Sequence, residues 1–167
     1  IDEKSVKAGL TLKEYKSNSY RWLIAAIFVL YGAILFYLVF LSDAYGRNNS
    51  EILRYQHINL VPFKTIKNYL HAWEVVNPLV VITNIYGNIA VFIPFGFLGP
   101  VVLGRLKTFR GLFFYGFLLS FFIELIQGVL GVGVVDVDDV ILNVFGAVIG
   151  YGFYMVFLKK FKKKKEA

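Results

Sequence analysis

Glu124 and Gln127 sit in a stretch of this chain that is otherwise almost entirely apolar, and so do Asn84, Asn88 and Asn143. Asp136, Asp138 and Asp139 stand immediately before the last of these stretches. A carboxyl group in that setting can bind a proton or a cation, or act as a general acid or base. Carboxamides donate and accept hydrogen bonds at once, which suits hydroxyl- and amide-rich ligands. Both groups are costly in hydrocarbon: a charged side chain at mid-membrane costs roughly 2.5–3.5 kcal/mol on insertion scales, and an unpaired amide is also penalised. Ionisable residues inside membrane spans therefore mark functional sites by default. The competing explanation is a hydrogen-bond network that only holds helices together, with contacts averaging ~0.6 kcal/mol each.

The composition says why these groups are out of place. Of the 167 residues, 57% are hydrophobic and 17% charged, against about 25% charged in an average soluble domain. Crossing ~30 Å of hydrocarbon takes ~20 mostly apolar residues. Four segments qualify, at about 22–41, 79–103, 112–131 and 140–158. The expected fold is all-α: a polytopic membrane protein, a single domain over 1–167 built as a four-transmembrane-helix bundle. Residues 1–20 are polar, which does not fit a cleavable signal. There is no cysteine, which excludes disulfides, thiol catalysis and cysteine-ligated zinc. His57 and His71 make no metal-ligand spacing. No cofactor and no bound metal are expected.

Lysines and arginines flank the spans unequally. Fourteen of the 18 lie on one side if the N-terminus is cytoplasmic, namely those before residue 22, those between spans two and three, and those of the tail 159–167. The excess of positive charge marks the cytoplasmic side, so both termini are expected there, in a plasma membrane. The net charge of +7 is thus used on membrane flanks, and no nucleic acid is expected as a partner. Loop 42–78 falls outside. Within it Phe63, Ile66, Tyr69, Leu70, Trp73 and Val76 recur at helical spacing, which predicts an amphipathic helix in the interface.

Each polar span also presents one lipid-averse face. Asn84 and Asn88 are four apart; Gly116, Ser120, Glu124, Gln127 and Gly131 form a second stripe; Asp136, Asp139, Asn143, Gly146 and Gly150 form a third if the last helix begins near Asp136. Gly146-x-x-x-Gly150 allows close helix approach. At ~1.5 Å per residue, Asn84, Asn88, Glu124, Gln127 and Asn143 all lie within ~5–14 Å of the outer boundary. The expectation is an outward-facing polar pocket. The Asp136-x-Asp138-Asp139 run is oxygen-rich, as Mg²⁺ or Ca²⁺ would need, but it is too short to specify a metal.

At these residues the chain resembles the VanZ-like family. The resemblance runs through NLVPF (Asn59 to Phe63), NIYGNIAVFIPFGFL (Asn84 to Leu98), ELIQ (Glu124 to Gln127) and DVDDVILNVFGAVIGY (Asp136 to Tyr151). It implies a bacterial plasma-membrane protein of the cell envelope with a link to resistance against teicoplanin and related glycopeptides. It also adds Asn59 to the polar set, giving Asn59, Asn84, Asn88, Ser120, Glu124, Gln127, Asp136, Asp139 and Asn143 as candidate binding residues. Many members carry an arginine where this chain has Gly133, so Asp136 and Asp139 lack a cationic partner nearby. Glycine there also occurs in members linked to glycopeptide resistance. Two functions compete. One is a binding protein whose partner is a membrane lipid, a lipid-linked wall precursor or a lipoglycopeptide. The alternative is an intramembrane enzyme on an envelope lipid, with Glu124, Asp136 and Asp139 as candidate catalytic groups. Four spans without an internal repeat disfavour a stand-alone carrier.

Overall fold

A computed structural model describes residues 21–42, 58–71 and 78–166. Helix α1 runs Arg21–Leu41 and closes in a π-helical turn, Tyr37–Leu41. Helix α2 is the short Lys64–His71. Helix α3 is Pro78–Val102, α4 is Phe109–Leu130 and α5 is Val137–Glu166. A 3₁₀ turn, Gly104–Lys107, links α3 to α4. Four helices are long and apolar enough to cross a membrane: Arg21–Leu41, Pro78–Val102, Phe109–Leu130 and the Val137–Phe157 part of α5. Large apolar side chains such as Phe113, Phe117, Phe121 and Val156 point outward, as expected where the solvent is lipid. The polytopic all-α reading therefore holds.

The boundaries follow local chemistry more than hydropathy. Helix α4 starts three residues before the apolar run because the Thr108 hydroxyl accepts the Gly111 N–H at 3.1 Å. It ends at Gly131, whose φ of +65° is the left-handed conformation that favours glycine. Val132 N–H then returns to the Gln127 carbonyl at 3.0 Å. Helix α5 also starts early, at Val137, because the Asp136 carboxylate accepts the Asp138 N–H at 2.8 Å and caps it. Pro78 occupies the first position of α3, where no N–H is needed. Pro94 lies inside α3, and beside it Tyr31 of α1 donates its hydroxyl to the Val91 carbonyl at 2.8 Å.

The α3–α5 pair is the tightest in the bundle. A Cβ on Gly146 would collide with the Ile89 carbonyl, one on Gly150 with the Ile93 carbonyl, and one on Gly96 with the Ala147 carbonyl. Backbone therefore meets backbone, as the small-residue spacing foretold. Around this seam Leu35, Val39, Phe92, Phe95, Leu106, Leu112, Ile123 and Ala147 form the apolar core. Helix α1 joins it through Phe28, whose ring lies 6.4 Å from that of Phe95. Trp73, Val76 and His57 lie outside the described residues. Phe63 precedes α2 rather than lying on its stripe, while Ile66 and Tyr69 are half-buried and Leu70 and His71 exposed.

Gly146→Val would force the α3–α5 seam apart. The cost is about 1–3 kcal/mol, the range for overpacking, and it should appear as a lower thermal midpoint in detergent. Gly152, with open space around its Cβ position, should accept alanine with little change.

Candidate functional site

The polar residues gather at the end of the bundle where α3 starts, α4 ends and α5 starts. Asn59 is the outermost. Its backbone pairs in parallel with Asp136: Asn59 N–H donates to the Val135 carbonyl at 2.9 Å, and Val137 N–H to the Asn59 carbonyl at 3.0 Å. Its side-chain amide donates to Asp136 Oδ1 at 2.8 Å and to Thr65 Oγ1 at 2.9 Å. The Thr65 hydroxyl in turn donates to Asp136 Oδ2. One buried carboxylate thus ties the segment before α2 to the start of α5.

Asp138 does the second half of this work. It is fully buried, and its carboxylate accepts the N–H groups of Phe63, Thr65 and Ile66. These are free donors at the N-terminus of α2, where negative charge is favoured. No side chain at the start of α2 supplies an acceptor, so a carboxylate from a distant helix acts as its cap. Phe63 has φ +64°, an uncommon conformation for a bulky residue, costing roughly 1–2 kcal/mol. Three charge-assisted hydrogen bonds offset that cost.

Below this cap the groups pair off in layers. Glu124 is 4% exposed and accepts the Asp136 N–H at 3.1 Å. Asn88 donates to Asp139 Oδ1 at 2.6 Å, linking α3 to α5. Asn143 donates to Ser120 Oγ at 2.9 Å, linking α5 to α4, and its Oδ1 is buried with no hydrogen-bond partner. Two candidates stand apart. The Asn84 amide donates to the carbonyl of Val80 on its own helix at 2.7 Å. Gln127 reaches across to α1 and donates to the Val39 carbonyl, in the π-helical turn, at 3.1 Å. Of the nine binding candidates, the structure joins Asn59, Asn88, Ser120, Glu124, Asp136, Asp139 and Asn143 at this junction, with Asn84 and Gln127 bonded elsewhere.

Sequence reasoning missed Thr65 and read Asp138 only as part of the oxygen-rich Asp136-x-Asp138-Asp139 run, outside the nine binding candidates. Neither lies on a periodic stripe. The one available signal was the lack of a capping acceptor before Lys64. Among the described residues no lysine or arginine forms an ion pair with the four carboxyls, and no three His, Asp or Glu side chains are placed around a common metal position. Donors replace cations: backbone N–H groups, two asparagine amides and a threonine hydroxyl. At Gly133, where an arginine was a family expectation, a Cβ would press on Gln127 at 3.3 Å.

Asp138→Ala leaves three part-buried N–H groups without their acceptor, at up to about 1–3 kcal/mol for each that stays dry. It should free α2, seen as new protease cleavage in 58–71. Asn84→Ala, which breaks only a contact within one helix, should leave the digest unchanged. Tyr69 adds a pH effect. Burial first, then the negative charges of Asp139 and Asp136, raises its phenol above the ordinary 10.0. A raised value favours the neutral phenol in the fold. This contribution is complete below the ordinary tyrosine value and is lost as pH rises through the folded one. Alkaline loosening of α2 should therefore be reduced in Tyr69→Phe, measured by the same digest across pH.

The comparisons with known proteins fit this geometry. The profile of the VanZ/LLP1 family matches residues 28–158, which include every polar residue of the junction. Protein VanZ of Enterococcus faecium is 28% identical over 139 residues, covering 83% of this chain and 78% of that protein. No solved structure is significantly similar. With its four membrane-length helices and a family match over most of its length, the chain belongs to the VanZ/LLP1 family.

Proposed function

We propose that this protein contributes to resistance against teicoplanin-type glycopeptides by binding the headgroup of an outer-leaflet amphiphile at the Asn59–Asp136–Glu124 junction. The amphiphile is a membrane lipid, a lipid-linked wall precursor or the lipoglycopeptide itself. In this reading both termini are cytoplasmic, as the distribution of lysines and arginines implies, and the junction lies toward the outside.

One observation carries the reading. Ile58, Leu60, Val61, Phe63 and Leu70 are each more than half exposed, and the segment that bears them is held by Asp136 and Asp138. Apolar side chains on so short a segment suit the acyl–headgroup boundary. A layer of amides and carboxyls lies directly beneath that ledge. Asn143 Oδ1, buried and unpartnered, leaves one acceptor for an incoming donor. A headgroup rich in hydroxyl and amide N–H groups matches such a surface.

The second reading, an intramembrane acid–base enzyme, rests on Glu124, a buried carboxyl with the Asp139 and Asp136 carboxyls as neighbours. The two readings separate on one pair of substitutions. Teicoplanin susceptibility should be measured in cells carrying Glu124→Ala, Asn88→Ala and Glu124→Gln at matched membrane abundance. Binding predicts that both alanine variants lose resistance, with ligand affinity falling ~10-fold for a lost contact of ~1.4 kcal/mol, while Glu124→Gln keeps most of it. Acid–base chemistry predicts that Glu124→Gln is as inactive as Glu124→Ala. Full resistance in all three variants would remove the junction from the function.

A further inference from the structure

A cavity of about 560 Å³ opens between α3 and α4, lined by Phe95, Leu103, Leu106, Tyr115 and Leu119 among others, with Arg105 on its rim. Its basic rim lies away from the polar junction, Asn88 and Val102 being separated by ~21 Å along α3 at ~1.5 Å per residue, while its inner wall on α4, Leu119 and Phe122, reaches the level of Ser120 and Glu124. Its origin is topological. Helices α3 and α4 each pack along α5 and touch one another little. The short link Gly104–Lys107 holds their ends together, and Leu106 plugs the gap beneath by lying against Gly99. The remaining space is apolar and falls in the ~300–1,000 Å³ range of small-molecule sites.

The charges beside it are of one sign. Arg105, Lys107 and Arg110 cluster in and just after the link, and no Asp or Glu occurs between Glu74 and Glu124. None of the three forms an ion pair among the described residues. An apolar cavity between membrane-length helices, with Arg105 on its rim and Lys107 and Arg110 close by in sequence, is complementary to a molecule with an acyl tail and an anionic head. Basic pockets between spans bind anionic phospholipid headgroups, and a guanidinium matches phosphate with two parallel hydrogen bonds. We infer that the α3–α4 cavity is a binding site for one anionic phospholipid, its acyl chain between Phe95, Tyr115 and Leu119 and its phosphate on Arg105. The inference needs only that the chain spans a bilayer; it does not rest on the headgroup function proposed for the opposite end.

The test is native mass spectrometry of the full chain released from vesicles of phosphatidylcholine and phosphatidylglycerol in equal amounts. The wild type should retain phosphatidylglycerol in excess over phosphatidylcholine. Arg105→Ala should reduce that excess about fivefold, the effect expected of one cation near an anionic headgroup. Arg105→Lys should keep most of it. Leu119→Trp, which fills the cavity, should lower retention of both lipids. Lys64→Ala, at the junction end, should change nothing, and added inorganic phosphate should not compete, because the tail is part of the ligand. An unchanged lipid ratio in Arg105→Ala overturns the inference. So does an equal loss in Lys64→Ala, which would mean diffuse surface charge, or displacement by inorganic phosphate. Arg105 is exposed and can be replaced without opening the core, so this variant decides the matter even where Leu119→Trp does not fold.

Discussion

A carboxylate buried at the edge of hydrocarbon must be met by donors, and in this protein that requirement organises one whole end of the bundle. Asp136 and Asp138, two residues apart at the start of α5, face no cation among the described residues. They are satisfied instead by N–H and O–H groups brought from far away in the chain. Removing one partner from such a network leaves a buried charge uncompensated, which costs far more than the pair contributes in sum. The segment before α2 is therefore not free to leave. The backbone and amide of Asn59 serve Asp136, as does the Thr65 hydroxyl within α2, and the first turn of α2 is capped by Asp138.

The same constraint fixes depth. Each layer below the cap has its own pair drawn from two helices: Glu124 with the backbone of Asp136, Asn88 with Asp139, Asn143 with Ser120. A polar group that slid along its helix would lose its partner and meet acyl chains. Backbone contact between α3 and α5 at Gly96, Gly146 and Gly150 brings these helices close enough for the short Asn88–Asp139 bond. Small residues in the middle of the span and polar residues at its end are thus one design. The glycines set the distance, and the amide–carboxyl pair sets the register.

The two ends of the bundle then have contrasting chemistry. One is acidic and amide-rich under an apolar ledge; the other is basic beside an apolar cavity. An amphiphile in either leaflet would meet a charge pattern suited to a different headgroup. Because α3 and α4 both lean on α5 and touch one another little, a cavity remains between them.

How much of this was legible beforehand depends on whether a feature was local or relational. The four spans, the seam glycines and the unwelcome polar groups could be read directly, because hydropathy and helical spacing are properties of consecutive residues, and lipid penalises any polar face left toward it. The start of α5 near Asp136 was legible only as a condition, the third stripe forming one face if the helix begins there, whereas hydropathy put the span at about 140 and said nothing of the cap. Thr65 and the role of Asp138 were not, since α2 borrows its cap from a helix more than seventy positions later and no periodicity within α2 announces that debt. Asn84 and Asn88 share a spacing and a residue type, yet one turns to its own helix and the other to Asp139. Only the packing of α3 on α5 decides that, because a hydrogen bond needs its partner within about 3 Å, and sequence spacing places a side chain on a face without saying what lies opposite.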